Sequence, residues 1–306
     1  MKVDAILKKI EEQMQASLYP GASLSLYQNG QWTRHYFGLA DPDQGLPTQE
    51  GLVYDLASVS KVVGVGTLML ELLEEGRVTL ETVLFPHAYP HLTLRHYLTH
   101  TTGLDPFIPG RDQMDAEELR RALLQLKLRE NQDFHYTDVN FLLMGFYVEE
   151  VYGEDLARVC EKHIFKPWKM GETRFGPVDH AVPTAQGIPG GTVHDPKARV
   201  LGTHAGSAGL FSTVQDLETF VGFYLTAPAY EELVQDYTLG STKPRSLAWN
   251  LEGDWLDHTG YTGTFVMFSR ERQEAAIFLA NRTYWEDDRA YWIERRNELM
   301  EIIRDL

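Results

Sequence analysis

Ser58 and Lys61 lie three residues apart at the start of a long apolar run. Residues with this spacing share one face of a helix, which predicts that the Ser58 hydroxyl lies beside the Lys61 amine. A serine becomes a nucleophile when a neighbouring base removes its proton. Burial near the positive end of a helix dipole predicts that Lys61 loses its proton near neutral pH and acts as that base. Taken alone, the same spacing is more typical of a helix cap followed by a solvated lysine.

Two later segments contain groups that such a pair would need. The segment Phe134–Asn140 carries a phenol, Tyr136, and a carboxylate, Asp138, just before an apolar helix. Its alternative interpretation is an aspartate cap and a core tyrosine. The segment His258–Gly263 follows a predicted strand, and its glycines allow the backbone to approach a ligand closely. An ordinary glycine-rich turn is the alternative there.

Together these three segments resemble the signature of β-lactamases and penicillin-binding proteins, which is Ser-x-x-Lys, Ser-Asp-Asn and Lys-Thr-Gly. The tyrosine in the second segment and the His-Thr-Gly in the third are similar to the class C β-lactamase, DD-peptidase and family VIII esterase branch. The order and spacing along the chain also agree. The resemblance covers about residues 20 to 285, because further stretches are similar to the same superfamily: Leu98–Leu104, Gly191–Asp195 and Ala205–Thr213.

The resemblance implies a role for each matching residue. Ser58 would be the acylated nucleophile, and Lys61 and Tyr136 would share proton transfer, with the formal base left open between them. The backbone N–H groups of Ser58 and Tyr261 would form an oxyanion hole, in which each donor contributes about 3 kcal/mol in comparable enzymes. The implied substrate-binding residues are Asp138, His258, Thr259 and Gly260.

Two residues depart from the family pattern. Asp138 stands where β-lactamases carry an asparagine, and a carboxylate cannot donate a hydrogen bond to a substrate carbonyl. If Asp138 pairs with Lys61, it favours the protonated amine and moves the role of base to Tyr136. His258 replaces the lysine of Lys-Thr-Gly, and a largely neutral imidazole anchors a carboxylate less well than a permanent cation. Both changes argue against β-lactam hydrolysis.

Other residues give weaker signals. His96 and His100 are four apart on a predicted helix, a spacing that can chelate zinc, but no glutamate lies between them. We expect neither a metal nor a cofactor. Tyr54, Trp249 and Trp255 are candidates for an apolar acyl pocket, with core packing as the alternative.

The composition narrows the class of protein. A net charge of −16 over 306 residues argues against binding to nucleic acid or anionic membranes. The single cysteine, Cys160, excludes an intrachain disulfide and is typical of a reducing compartment. The N-terminal residues follow helical spacing and lack the apolar core of a signal peptide. No stretch approaches transmembrane length without charge, so the expected location is the cytoplasm.

The element pattern predicts an α+β, β-lactamase/transpeptidase-like fold. A hairpin is predicted around Asn29-Gly30, and strand patterns return only near the end of the chain. We therefore expect an antiparallel sheet built from both chain ends, 1–77 and 228–306, flanked by helices. A mainly helical lobe, 78–227, is inserted between them, with a site in the cleft. Residues 171–206 read as a long irregular segment, which is usually functional or mobile. The predicted helices are Thr93–His100, Ala116–Arg129, Val139–Val151, Leu156–Ile164 and Val214–Leu225.

These observations predict a serine hydrolase that acts through an acyl-enzyme on a carboxylic ester or small amide. A DD-peptidase or penicillin-binding protein with weak β-lactam turnover is the alternative enzyme, with a D-amino-acid peptide as substrate. A catalytically idle relative that binds peptides, β-lactams or partner proteins is the non-enzyme alternative. The intact set of Ser58, Lys61 and Tyr136 argues against the idle relative. The oligomeric state is left open.

Overall fold

The computed structural model describes residues 2–306, and its central feature is an antiparallel sheet. Met1, the first residue of the predicted sheet domain, lies outside the described residues. The main sheet has the spatial order β3-β2-β1-β10-β9-β8-β7, and a second small sheet has the order β4-β6-β5. The strands are β1 (Gly21–Gln28), β2 (Gln31–Asp41), β3 (Leu46–Pro47), β4 (Tyr54–Asp55), β5 (Arg174–Phe175), β6 (Leu210–Ser212), β7 (Asn250–Glu252), β8 (Trp255–Thr259), β9 (Phe265–Ser269) and β10 (Glu274–Ala280).

Strands from both ends of the chain meet in the main sheet. The β1–β2 hairpin turns at Asn29 and Gly30, which both have positive φ angles, as a tight two-residue turn requires. Strand β1 also pairs with β10, with Ala22 opposite Ala280 and Tyr27 opposite Ala275. The predicted α+β architecture, a sheet assembled from the two chain ends, is confirmed.

Helices cover both faces of this sheet. They are α1 (Lys2–Gln15), α2 (Thr67–Glu74), α3 (Leu94–Thr99), α4 (Ala116–Leu123), α5 (Val139–Tyr152), α6 (Leu156–Cys160), α7 (Pro196–Leu201), α8 (Val214–Thr226) and α9 (Arg289–Arg304). On one face, Ile6 of α1 and Ile303 of α9 share an apolar core with Leu24 and Phe278 of the sheet. Helix α8 packs against β1 and β10 on the other face. The larger apolar core joins that face to the helices inserted between β4 and β7. The exact boundaries predicted for the two lobes, at residues 77/78 and 227/228, stay a prediction.

Two predicted helices need correction. The helix predicted over Ala116–Arg129 ends at Leu123, where the Tyr89 hydroxyl donates to the Leu123 carbonyl and accepts from the Leu126 N–H. A side chain from another segment therefore replaces the next turn of the helix. The helix predicted over Leu156–Ile164 is α-helical only to Cys160 and continues as a π-helical turn to Phe165.

The prediction of a long irregular segment over residues 171–206 is wrong in part. It contains β5 and α7, and Asp195 caps α7 by accepting a hydrogen bond from the Ala198 N–H at 2.8 Å. Pro196 occupies the first turn of this helix. An aspartate cap followed by a proline is a standard start signal, so this helix was readable from the sequence.

Candidate active site

Ser58 lies in a tight turn between β4 and the apolar segment that leads into α2. The turn is a 3₁₀ helix over Ala57–Val59, and Ala57 adopts a φ of +46°, which is unfavourable for a residue with a side chain. The Asp55 carboxylate accepts from the Ala57 and His194 backbone N–H groups, both at 2.8 Å. Burial raises the pKa of Asp55 to about 6. Asp55 thus fixes the strained turn that presents Ser58.

The segment that follows β8 is hydrogen-bonded to the turn that carries Ser58. Thr262 Oγ1 donates to the Asp55 carbonyl at 2.9 Å, and Thr264 Oγ1 donates to the Leu56 carbonyl at 3.0 Å. A Cβ atom on Gly260 would lie 2.6 Å from the Leu56 carbonyl oxygen and 2.1 Å from Thr264 Oγ1. Glycine is therefore required there by the protein's own packing. The prediction that this glycine makes room for a ligand therefore lacks support at Gly260, since the atoms close to it belong to the protein.

Lys61 connects Ser58 to a carboxylate. Its Nζ atom is fully buried and donates to Ser58 Oγ at 2.9 Å, to Asp138 Oδ1 at 2.7 Å and to the Ser207 carbonyl at 3.0 Å. These acceptors match the three protons of an ammonium group. Burial by itself lowers the pKa of Lys61, but the charge of Asp138 and the phenol of Tyr136 outweigh it and raise the pKa above its ordinary value. The expectation that Lys61 is neutral near pH 7 is therefore wrong.

Asp138 lies between two lysines. Its second oxygen contacts Lys197 Nζ at 2.9 Å, and Lys197 also lies 3.4 Å from Asp195. Burial raises the pKa of Asp138, but the two lysine charges outweigh this effect and hold the pKa well below its usual range. The Asp138 side chain makes no cap hydrogen bond to α5, so the aspartate-cap interpretation is wrong. The substrate contact expected of Asp138 stays a prediction. Lys197 was missed, because it belongs to the segment that was predicted to be irregular.

Tyr136 lies beside the lysine. Lys61 Nζ is 5.2 Å from the centre of the Tyr136 ring, and the His100 ring packs on the tyrosine with the centroids 4.6 Å apart. Among the described residues no hydrogen bond joins the Tyr136 hydroxyl to Ser58. Asn140 is hydrogen-bonded to Thr102 and His100. The phenol therefore lies beside the Ser58–Lys61 pair, and Ser58 and Tyr136 line the same cavity.

His258 is buried and uncharged. Burial lowers its pKa well below 6.5, and the neighbouring charges of Lys61 and Arg245 lower it further. Both of its ring nitrogens are buried without a hydrogen-bond partner among residues 2–306. This agrees with the prediction that an imidazole here anchors a carboxylate only weakly.

Ser58, Tyr136 and the Thr259–Tyr261 segment line one open cavity of about 310 Å³. The backbone of Tyr261 is held by Arg282, whose Nε donates to the Tyr261 carbonyl at 2.8 Å. Basic side chains that the sequence patterns did not single out also line this cavity, which we call the cationic cavity: Lys243, Arg245, Arg282, Arg289 and Arg296. They are spread over the last quarter of the chain and form no motif. A larger cavity of about 680 Å³ lies beside Arg158, Phe165 and Phe175, but it does not contain Ser58, so we place the site in the smaller one.

Other candidates have structural roles. Tyr54, Trp249 and Trp255 are buried in the apolar cores and do not line the cationic cavity, so the predicted acyl pocket is wrong. The His96 ring caps the start of its own helix through Thr93. Within residues 2–306 no group of three or more His, Cys, Asp or Glu side chains is placed to hold a metal ion.

Comparison with known proteins shows to which family the chain is related. The family model described as Beta-lactamase matches residues 6–301. The protein named flp from Staphylococcus aureus (strain MW2) is 25% identical over 310 residues, which cover 89% of this chain and 61% of that protein. The chain therefore spans about three fifths of the length of this relative.

Solved structures share the fold. A structure described as a beta-lactamase/D-alanine carboxypeptidase from Pseudomonas syringae superposes with a TM-score of 0.79 at 19% identity, covering 99% of this chain and 98% of that one. A second, EstCE1, described as a hydrolase with promiscuous acyltransferase activity, has a TM-score of 0.78 at 16% identity, covering 97% and 98%. The predicted β-lactamase/transpeptidase-like fold is confirmed. None of the helices in residues 2–306 is long and apolar enough to cross a membrane.

Proposed function

Because this chain belongs to the beta-lactamase family, we propose that it is a serine hydrolase that acts through an acyl-enzyme on a carboxylic ester or a small amide. One observation carries the proposal. The Ser58 hydroxyl lies 2.9 Å from a buried lysine amine, and Ser58 lines an open cavity together with the Thr259–Tyr261 segment. A hydroxyl held beside an ionised side chain and facing solvent is placed to act as a nucleophile.

In the first half of the reaction, Ser58 Oγ attacks the substrate carbonyl carbon and loses its proton to a base. A C–O bond to Ser58 forms and the bond to the leaving alcohol or amine breaks, as the base passes the proton to that leaving group. In the second half, water attacks the acyl-enzyme carbonyl and loses a proton to the same base. A C–O bond to the water oxygen forms, the bond to Ser58 Oγ breaks, and the base returns the proton to Ser58 Oγ. The released acid and the free Ser58 hydroxyl complete the cycle.

The contacts of Lys61 favour Tyr136 as the base. An ammonium group that is paired with Asp138 has no free electron pair with which to accept the Ser58 proton. Its positive charge, 5.2 Å from the Tyr136 ring centre, stabilises negative charge on the phenol oxygen. In this arrangement Lys61 orients the Ser58 hydroxyl and Tyr136 carries the proton.

The oxyanion of the tetrahedral intermediate would lie between the backbone N–H groups of Ser58 and Tyr261. Both residues line the cationic cavity. The hydrogen bonds from Thr262 and Thr264 hold the Tyr261 segment against the Ser58 turn, so the two donors are fixed relative to each other before substrate binds. Fixed donors of this kind contribute about 3 kcal/mol each to transition-state stabilisation.

The residues that differ from the β-lactamase pattern support an ester or small amide as substrate. Asp138 uses both oxygens on lysines and offers no N–H to an amide carbonyl. His258 is buried and neutral, so it supplies no charge to a β-lactam carboxylate. The similar structure of EstCE1 shows that this fold also occurs in a hydrolase with acyltransferase activity.

A D-amino-acid peptidase with weak β-lactam turnover is the second candidate. The buried guanidinium of Arg245 favours it, because its Nε has no partner in the described chain and could donate a hydrogen bond to the terminal carboxylate of a peptide. The similar protein from Pseudomonas syringae carries D-alanine carboxypeptidase in its description. Mass spectrometry after treatment with a fluorescent penicillin separates the candidates, since a stable penicilloyl adduct on Ser58 favours the peptidase.

The test of the proposed function is hydrolysis of p-nitrophenyl butyrate by the wild type and two alanine variants. Ser58→Ala should abolish turnover. Ser60→Ala is the matched control, because it removes a buried hydroxyl of the same turn that contacts only the Leu210 N–H. Turnover by Ser58→Ala at the wild-type rate would remove Ser58 as the nucleophile, and absence of turnover in the wild type with any ester or peptide would favour the idle binding protein.

A further inference from the structure

The charge of the cationic cavity is opposite to the charge of the protein that contains it. The chain has a net charge of −16, yet five basic residues line the cavity beside Ser58 and no acidic residue from the described part of the chain does so. A concave site lined by one sign of charge concentrates the electrostatic field and attracts ions of the opposite sign. The charge of the cavity therefore indicates that the substrate carries a negative group, which the Ser58–Lys61 pair alone does not indicate.

Most of these cations have no internal counter-charge. Arg282 forms an ion pair with Asp287, but in residues 2–306 no ion pair is formed by Lys243, Arg245, Arg289 or Arg296. Arg289 and Lys243 instead lie over aromatic rings, at 5.6 Å from the centre of Tyr261 and 5.3 Å from the centre of Phe134.

One carboxylate, Asp257, lies close enough to act on Arg245 and Arg296. Its charge is paired with Arg304 at 3.1 Å, a guanidinium that does not line the cavity, so one shared carboxylate faces several cations. The positive charge of the cavity is therefore not cancelled from within.

Two of the guanidinium groups are buried with a free donor. Arg245 is 1% exposed and Arg282 is 3% exposed, and neither Arg245 Nε nor Arg282 Nη2 has an acceptor within residues 2–306. A buried donor without an acceptor is unfavourable, and more so when it is charged. Arg245 remains cationic at neutral pH, because burial lowers its pKa only to about 10. An anion in the cavity would supply the missing acceptors and charge.

We propose that the substrate carries a compact group with at least two negative charges, either a phosphate or a pair of carboxylates, which binds in the cationic cavity beside the ester or amide that Ser58 attacks. This inference deepens the proposed function and rests on it. A single carboxylate would occupy one bidentate guanidinium and leave the other unpaired cations uncompensated, whereas a dianion can bridge Arg245 and the cations of α9.

The first experiment measures binding without turnover. Isothermal titration calorimetry of the folded Ser58→Ala protein uses inorganic phosphate, malonate and acetate as probes. Phosphate or malonate should bind about tenfold more tightly than acetate, a difference of about 1.4 kcal/mol, because the second negative charge pairs with cations that a single carboxylate leaves unpaired. Tighter binding of phosphate indicates a phosphoryl group, and tighter binding of malonate indicates paired carboxylates. Equal or absent binding of all three would overturn the proposal.

Two variants on the same helix test where the anion binds. Arg289→Gln/Arg296→Gln, made in the Ser58→Ala background, should weaken binding of the preferred dianion by about tenfold. Arg295→Gln is the matched control, since Arg295 lies on α9 but forms ion pairs with Glu294 and Glu298 outside the cavity. It should leave binding unchanged. Equal weakening by the control, or none by the double variant, would refute this location.

A kinetic comparison separates this inference from the proposed function. The wild type should show a lower KM for the mono-p-nitrophenyl ester of tricarballylic acid, which keeps two free carboxylates, than for p-nitrophenyl butyrate. The double variant made with Ser58 intact should lose that difference. Hydrolysis of both esters with the same KM, together with no dianion binding, would remove the inference and leave the serine hydrolase in place. Dianion binding together with full hydrolysis by Ser58→Ala would remove Ser58 as the nucleophile and leave the anion site in place.

Discussion

Replacement of Asp138 by asparagine is the sharpest perturbation of the candidate site. The side chains are nearly isosteric, so Asp138→Asn removes one negative charge and leaves the packing in place. The charge lies between Lys61 at 2.7 Å and Lys197 at 2.9 Å. Its loss leaves two ammonium groups close together without their shared counter-ion. Burial then becomes the dominant effect on Lys61, and burial favours the neutral amine.

The size of the effect follows from the contact. Opposite unit charges about 4 Å apart interact by about 4 kcal/mol at an effective dielectric constant of about 20. The contact with Lys61 is at least as close, and the Asp138 side chain is 27% exposed, which makes a moderately high dielectric constant appropriate. An energy of about 4 kcal/mol changes the ratio of protonated to neutral Lys61 by roughly a thousandfold. Lys61 in the variant should therefore lose its proton at a markedly lower pH than in the wild type.

The assay is the pH profile of kcat/KM for p-nitrophenyl butyrate in the wild type, in Asp138→Asn and in Lys197→Met. If Tyr136 is the base and Lys61 acts as a cation, Asp138→Asn should lose activity as the pH rises through the new titration of Lys61. Lys197→Met keeps the Lys61–Asp138 pair and should show no such descending limb. An ascending limb in Asp138→Asn would identify neutral Lys61 as the base. A profile identical to the wild type would refute control of Lys61 by Asp138.

Three further outcomes are expected. Tyr136→Phe should lower kcat by about 100-fold or more without unfolding the protein, as steady-state kinetics and circular dichroism can show, and wild-type turnover would exclude the phenol as the base. His258 has a folded-state pKa below the unfolded value of 6.5, so unfolding by urea should become easier as the pH falls below about 6.5, and less steeply so in His258→Gln. An equal slope in both proteins would contradict the buried neutral imidazole. Gly260→Ala should lower the free energy of unfolding in urea titrations by about 1–3 kcal/mol, because its Cβ would lie 2.6 Å from the Leu56 carbonyl oxygen. An unchanged free energy of unfolding would mean that the Gly260 segment packs less closely against the Ser58 turn.

Local patterns were sufficient to predict much of the fold. The Asn29-Gly30 turn sets the first hairpin, because both positions need positive φ angles that these residues adopt easily. Helical spacing predicted the N-terminal helix and α5 to within a few residues. In each of these elements, residues close in sequence determine the backbone, so a short window contains the necessary information.

The electrostatics of the site could not be predicted in the same way. Burial of Lys61 was expected, but the direction of its pKa shift depends on Asp138, which lies 77 residues away. The second lysine on that carboxylate, Lys197, comes from a helix that was read as a loop. The cationic cavity likewise gathers basic residues from the segment before β7, the turn after β10 and α9. Side chains that meet through the folded chain leave no periodic trace in the sequence.

The identity of Ser58 as the nucleophile is tested most directly by covalent labelling. The native wild-type protein is treated with a fluorophosphonate, denatured, digested and analysed by tandem mass spectrometry. One phosphonyl group should be found per chain, on the peptide that contains Ser58, and it should be absent from Ser58→Ala and present in Ser60→Ala. A label on a different residue, or equal labelling of Ser58→Ala, would show that the reactive hydroxyl lies elsewhere.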